Sequence, residues 1–138
     1  MQRLRIYPFI ALGLLAAAPV AVAQGTGAPI SVRLETVGGS GISGTAELRQ
    51  RDRETEFAIT LNSADRARGD DEFDVWLRAG TCTAPGRTVE DIDDVEADGE
   101  TETEDEDVVL AELLRSPHVL EVRVEDSDDV VACGAIRG

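Results

Sequence analysis

The sequence predicts an all-β domain, a sandwich or barrel built from about eight short strands. Apolar residues recur at every second position: Val32 and Leu34 flank Arg33, and the same alternation returns in segment after segment. Turn-forming residues, such as the glycine-rich run 38–41, separate these segments. The chain shows no long segment of helical period and no internal repeat, so a helical bundle or a solenoid is not indicated.

Each predicted strand rests on one of these alternating segments. The predicted strands are 30–34, 42–50, 57–61, 73–78, 88–95, 101–103, 120–124 and 130–136. We expect the fifth to be short and irregular, and the sixth to be an exposed edge strand within the acidic stretch 97–107. Residues 80–86 are predicted as a loop, and 108–114 as a strand end with a helical turn that Pro117 terminates.

Two of these strands have clearly different faces. Phe57, Ile59 and Leu61 share one side of the third strand, as expected for a core-facing surface. In the fourth strand the apolar side carries Phe73, Val75 and Leu77, whereas the other side carries Asp74, Trp76 and Arg78. The apolar sides of both strands are therefore predicted to meet in the core.

The N-terminus has the features of a secretory signal peptide over residues 1–23. Arg3 and Arg5 provide the positive charge, 6–22 is a mostly apolar run, and Ala21-Val22-Ala23 gives the small-x-small pattern of a cleavage site. We therefore expect an exported protein, periplasmic or extracellular.

A retained membrane anchor is the alternative interpretation of the same segment. Pro8, Pro19 and the cleavage pattern argue against it. No later apolar stretch is long enough to span a bilayer. The expected organisation is thus a signal peptide, a short leader over 24–29 and one β-domain over 30–138.

The charge balance is strongly acidic. The chain has 13 Lys plus Arg, all of them Arg, against 28 Asp plus Glu, a net charge of −15. Removing Arg3 and Arg5 with the signal peptide leaves 11 against 28, or −17. Such a surface repels phosphate backbones and anionic lipids, so we expect no nucleic-acid partner, and anionic membrane surfaces are disfavoured. The acidity fits adaptation to salt or a cationic partner.

The only two cysteines are Cys82 and Cys133. After export into an oxidising compartment, a pair of cysteines most simply forms one disulfide. That bond would constrain a loop of 51 positions (133 − 82), worth about 4 kcal/mol in the chain-entropy description. Two free, buried thiols are the alternative.

Three segments together resemble the copper/zinc superoxide dismutase family. They are VACGAI at 131–136, VRVEDSDD at 122–129 and VWLRAGTC at 75–82. Their order and spacing suit that family over roughly 30–136. The resemblance implies an eight-stranded Greek-key β-sandwich or barrel with a Cys82–Cys133 disulfide.

The chemistry of that family is missing from the sequence. The family's two-metal site takes its ligands from six His and one Asp, whereas this chain has a single His, His118. The positions that match ligand histidines hold Trp76, Arg78 and Arg123, and Val130 stands where the family has its substrate-guiding Arg. We therefore expect no copper or zinc cofactor and no dismutase activity by the family mechanism.

Trp76, Arg78 and Arg123 admit two interpretations. They form a replacement pocket in which an indole and two guanidiniums receive a small anion. Alternatively the arginines pair with nearby acids and Trp76 covers the sheet, which is the interpretation we favour. His118 is expected to be an ordinary surface residue, since one His cannot supply the three protein ligands of a catalytic zinc.

The acidic stretch 91–107 raises a separate hypothesis, a weak Ca²⁺ site. Its acids fall at positions 1, 3, 5 and 12 of a calcium loop: Asp94, Glu96, Asp98 and Asp105. Gly99 takes the sharp-turn position, but the flanking helices of such loops are absent. A solvated acidic segment without bound cation is the alternative, and we favour it.

The sequence thus predicts an exported, non-catalytic domain of the superoxide dismutase type that acts as a binding or cell-envelope module for an unknown protein or small anion. A Ca²⁺-binding protein is the alternative function. A dismutase with unusual metal ligands is a less favoured third hypothesis.

Overall fold

Eight antiparallel strands make up the fold in a computed structural model, which describes residues 27–138. The strands are β1 (Ile30–Thr36), β2 (Ile42–Arg51), β3 (Glu54–Ser63), β4 (Glu72–Thr81), β5 (Ala84–Glu96), β6 (Asp98–Glu106), β7 (His118–Val124) and β8 (Val130–Ile136). One helical turn, α1 (Leu110–Leu113), lies between β6 and β7. The all-β prediction is confirmed. The predicted signal peptide lies outside the described residues.

The strands form one curled sheet in the order β5-β4-β7-β8-β1-β2-β3-β6. Most neighbours pair over five or more residues, but β1 and β8 share only two pairs, Glu35 with Cys133 and Thr36 with Ala132. The sheet therefore bends at this junction, and its two halves close over a common core. Consecutive strands β5 and β6 lie at opposite edges of the sheet, so the chain crosses from one half to the other at Ala97.

The core follows from the alternation in the sequence. The inward residues of β3 (Phe57, Ile59, Leu61) and of β4 (Phe73, Val75, Leu77) are almost completely buried, as predicted. β7 behaves differently, because five consecutive residues from Val119 to Arg123 are buried. Both faces of β7 are therefore covered, and this places a charged pair of residues, Glu121 and Arg123, out of solvent.

The hairpin between β4 and β5 is tighter than the predicted loop at 80–86. β4 runs to Thr81 and β5 starts at Ala84, so β5 is 13 residues long, although its pairing with β4 shifts register three times. Gly80 has φ +102°, and a Cβ there would lie 2.5 Å from the carbonyl oxygen of Ala84. The Pro and Gly of this segment suggested a loop, but an edge strand tolerates Pro because one side of its backbone is unpaired.

The acidic stretch forms the other edge of the sheet. β6 pairs with β3 alone, and the hydroxyl groups of Thr60 and Thr101 are 2.6 Å apart. This confirms the predicted edge strand. A row of carboxylates on an edge discourages pairing with the edge of another molecule. The helical turn expected before Pro117 is α1.

The Cys82–Cys133 disulfide is present, with the two Cα atoms 5.9 Å apart. It ties the β4–β5 turn to the middle of β8, so the end of the hairpin is held against the sheet. Cys82 is exposed and Cys133 is buried. Within residues 27–138, no helix has the length and apolar character needed to cross a membrane.

Candidate functional site

The outward face of β4 and β7 brings together the three residues singled out in the sequence, Trp76, Arg78 and Arg123. Trp76 lies directly opposite Glu121, and Arg123 lies opposite Asp74. Arg78 follows two residues after Trp76 on the same face, because side chains of a strand alternate. The structure therefore gathers Trp76, Arg78 and Arg123 around one acid that the sequence reasoning had not singled out.

That acid, Glu121, is 1% exposed and lies between the two arginines. Its Oε1 atom accepts a hydrogen bond from Arg78 Nη1 at 2.9 Å and another from Arg123 Nε at 2.7 Å. Removing a carboxylate from water is costly unless ionic partners and hydrogen bonds compensate for the lost hydration. Here two guanidiniums share one buried carboxylate, so the charge of Glu121 is compensated inside the protein.

The remaining guanidinium nitrogens also have acceptors. Arg78 donates from Nε (3.1 Å) and from Nη2 to the carbonyl oxygen of Gly86. Arg123 donates from Nη1 to Asp128 Oδ1 at 3.0 Å. Every nitrogen of both guanidiniums thus contacts an acceptor of the protein itself. This is the arrangement that the ion-pair interpretation describes, and it leaves these arginines poorly suited to hold an external anion.

Trp76 completes the cluster. The guanidinium carbon of Arg123 lies 4.6 Å from the centre of the Trp76 ring, within the range of a cation–π contact. The indole Nε1 is buried and has no hydrogen-bond partner among residues 27–138. We name Trp76, Arg78, Glu121 and Arg123 the Arg–Glu–Arg cluster.

This cluster does not fit a copper or zinc ion. An indole N–H and guanidinium groups are donors that carry no lone pair for a metal, so Glu121 is the only ligand-type side chain present. The two adjacent positive charges would also repel a dication. In the described part of the chain, no group of three or more His, Cys, Asp or Glu side chains is placed to hold a metal ion.

The four acids of the calcium hypothesis do not converge on one point. Asp94 belongs to β5, where it lies opposite Asp74, and Glu96 lies opposite Glu72. Asp98 and Asp105 stand seven positions apart on extended β6, which separates them by about 23 Å at a strand's rise per residue. A calcium loop requires a compact turn, but this segment forms two strands, because its threonines alternate with acids and pair with β3.

Two other carboxyl groups, those of Asp74 and Glu106, have raised pKa values. Burial and then the neighbouring carboxyl of Asp94 raise the pKa of Asp74 to about 6. Burial and the repulsion of Glu90 likewise raise the pKa of Glu106 to about 6. In both cases further carboxylates nearby, Asp91 among them, also disfavour the ionised form.

A groove lies beside the disulfide, at the end of the sheet away from Asp74. Its volume is about 830 Å³, and it is lined by the start of β7, the end of β8, the β4–β5 turn and part of β1. His118 lines it and is half-buried rather than freely exposed. Its Nδ1 lies 2.9 Å from the carbonyl oxygen of Ser116 and 3.1 Å from that of Leu113, so this nitrogen carries the proton.

A scan against protein-family models, a search of curated proteins and a search of solved structures found no match for this chain.

Replacing the central acid tests the Arg–Glu–Arg cluster. Glu121→Gln removes the charge that two buried guanidiniums require, so we expect the free energy of unfolding to fall by about 3 kcal/mol. Urea denaturation of both proteins at neutral pH measures the difference. Asp128→Asn is the matched control, since Asp128 contacts the same Arg123 but is fully exposed and should change stability far less. Equal losses in both variants would contradict the assigned role of Glu121.

The raised pKa of Asp74 predicts a pH-dependent stability. The folded state raises this pKa from 3.8 to about 6, so it holds the proton more tightly than the unfolded chain does. The resulting stabilisation is complete below the unfolded pKa and is lost as the pH rises through the folded pKa. Asp74→Asn mimics the protonated form and can still donate to Asp94. Its melting temperature should therefore exceed that of wild type near neutral pH, with the gap closing towards pH ~4.

Thermal melts across this pH range measure that gap. Glu54→Gln removes a charge from an exposed position at the start of β3 and serves as the control. A gap that is independent of pH, or one of the same size in the control, would rule out the assigned titration of Asp74.

Proposed function

We propose that the chain is an exported, non-catalytic domain of the copper/zinc superoxide dismutase type that serves as a binding module in the cell envelope or outside the cell. The observation that carries this proposal is the Arg–Glu–Arg cluster. Arg78 and Arg123, at two positions that match the family's ligand histidines, are bound to Glu121 and not available to a metal.

Two features of the fold support the family assignment. The Cys82–Cys133 disulfide is the pairing that the resemblance implies. The sheet order places β3 beside β6 and β4 beside β7, so long connections bring non-consecutive strands together, as in Greek-key folds. Neither feature depends on the metal ligands, which is why the fold type and the loss of the metal site are compatible.

The absence of dismutation follows from the chemistry of the side chains. Superoxide dismutation in this family requires a redox metal, and imidazole nitrogens are the ligands that suit copper. Guanidinium remains protonated at all physiological pH values and cannot replace imidazole as a ligand. A scaffold that retains its disulfide and core after losing its ligands is suited to binding rather than to electron transfer.

The purified protein, supplied with Cu²⁺ and Zn²⁺, should show no superoxide dismutation above that of free copper at the same concentration. Turnover that follows the protein and survives removal of free metal would overturn the proposal.

A histidine variant tests the correspondence of positions. Trp76→His, Arg78→His and Arg123→His together place three imidazoles beside Glu121. We expect this triple variant to gain tight binding of one Cu²⁺, detected by the visible d–d absorption of the bound ion, while wild type does not. The control introduces the same number of histidines at exposed arginines outside the cluster: Arg49→His, Arg53→His and Arg66→His. A folded triple variant that binds no more copper than this control would contradict the resemblance.

A further inference from the structure

We propose that the groove beside the Cys82–Cys133 disulfide is a binding site for a small multivalent anion, a molecule whose carboxylate or phosphate groups carry two or more negative charges. This inference goes beyond the loss of dismutase chemistry and does not depend on it. It places the anion away from the Arg–Glu–Arg cluster, whose guanidinium donors are already bound to acceptors of the protein.

The first observation is the charge of the groove. Arg33, Arg115 and Arg137 line it, opposed by the single carboxylate of Glu35. In a chain with 28 acids and 13 bases, a place where arginines outnumber acids is unusual. The groove is thus a positive region on a strongly negative protein.

The second observation is that these arginines lack internal partners. Five arginines of residues 27–138 form ion pairs within 4.0 Å, and they are Arg49, Arg51, Arg68, Arg78 and Arg123. None of the three groove arginines has a carboxylate that close within the same residues. Their exposed guanidiniums therefore keep donors for a ligand, and guanidinium matches the geometry of carboxylate and phosphate oxygens.

The net charge of the protein does not prevent such binding. At physiological ionic strength the field of an exposed charge is screened over about 8 Å. A ligand inside the groove therefore interacts mainly with the groove's own charges. The carboxylates of β5 and β6 belong to the two edge strands of the sheet, which do not line the groove beyond the β4–β5 turn.

The shape of the groove limits the size of the ligand. A volume of about 830 Å³ accommodates a small organic molecule but is too small for a folded partner. Leu114, Pro117 and Ile136 add apolar wall that can contact a carbon skeleton. On another side of the groove the disulfide holds the β4–β5 turn against β8, so this part of the lining is fixed before the ligand arrives and less ordering entropy is lost on binding.

Titration with citrate and, separately, with inorganic phosphate tests the site, with ionic strength held constant by chloride. Amide resonances in ¹H–¹⁵N spectra should shift for Thr81–Thr83, for Arg115, Ser116 and His118 and for 134–137, and should stay in place along β2 and β3. A stronger response to citrate identifies organic acids as the ligand class, and a stronger response to phosphate identifies organic phosphates.

Charge-removal variants complete the test. Arg115→Gln with Arg137→Gln should weaken citrate or phosphate binding by about tenfold. Arg53→Gln with Arg66→Gln removes the same charge from exposed positions outside the groove and should leave affinity unchanged. Both pairs are exposed, so the spectra should report an intact fold. The proposal is overturned if neither anion shifts the groove resonances at up to about 20 mM, or if both double variants lose affinity equally.

Discussion

The carboxylate of Glu121 is the group on which the outward face of this sheet depends. It lies in β7, a strand covered on both faces, and is almost fully buried between Arg78 and Arg123. Each guanidinium also makes a second link, to Gly86 on β5 or to Asp128 after β7. One buried negative charge thus connects three neighbouring strands and the turn before β8. Without it, the positive charges of Arg78 and Arg123 would lie close together on a partly buried surface. The side chains of this sheet face would then have no stable arrangement.

This arrangement shows how side chains of separate strands can be linked without a metal ion. A metal ion links side chains of separate strands by coordination. In this chain, hydrogen bonds between charged side chains link β4 and β7, because Arg78 and Arg123 both donate to Glu121. The disulfide adds a covalent link between the middle of β8 and the β4–β5 turn. The two cross-links are independent, since one lies by Arg123 and the other by the groove.

Much of the fold could be predicted from the sequence, because period-two alternation and turn residues are local signals. The core faces of β3 and β4 follow directly from the spacing of Phe57, Ile59 and Leu61, and of Phe73, Val75 and Leu77. The extent of β5 could not be predicted, because Pro85 and Gly86 signal a loop unless one knows that the strand lies at an edge. The disulfide partner followed from there being only two cysteines.

The candidate site was harder to predict from the sequence than the fold. Trp76, Arg78 and Arg123 were identified by family resemblance, but Glu121 was not, although it precedes Arg123 by two positions in an otherwise apolar strand. An acid and a base on one face of an apolar strand are a signal for a buried pair, and this signal was available. The groove arginines could not be found in this way, because Arg33, Arg115 and Arg137 come from distant parts of the chain and meet only in the folded structure.

Elemental analysis tests the central proposal, that Arg78, Glu121 and Arg123 form an ion-pair cluster that does not bind a metal ion. The purified protein would be incubated with Cu²⁺, Zn²⁺ and Ca²⁺, dialysed exhaustively and analysed for bound metal per chain. The account predicts no retained copper or zinc, because the guanidiniums of Arg78 and Arg123 have no lone pair for a metal and are bound to Glu121. Copper or zinc retained at one ion per chain would contradict it, and a metal-dependent enzymatic role would then have to be tested.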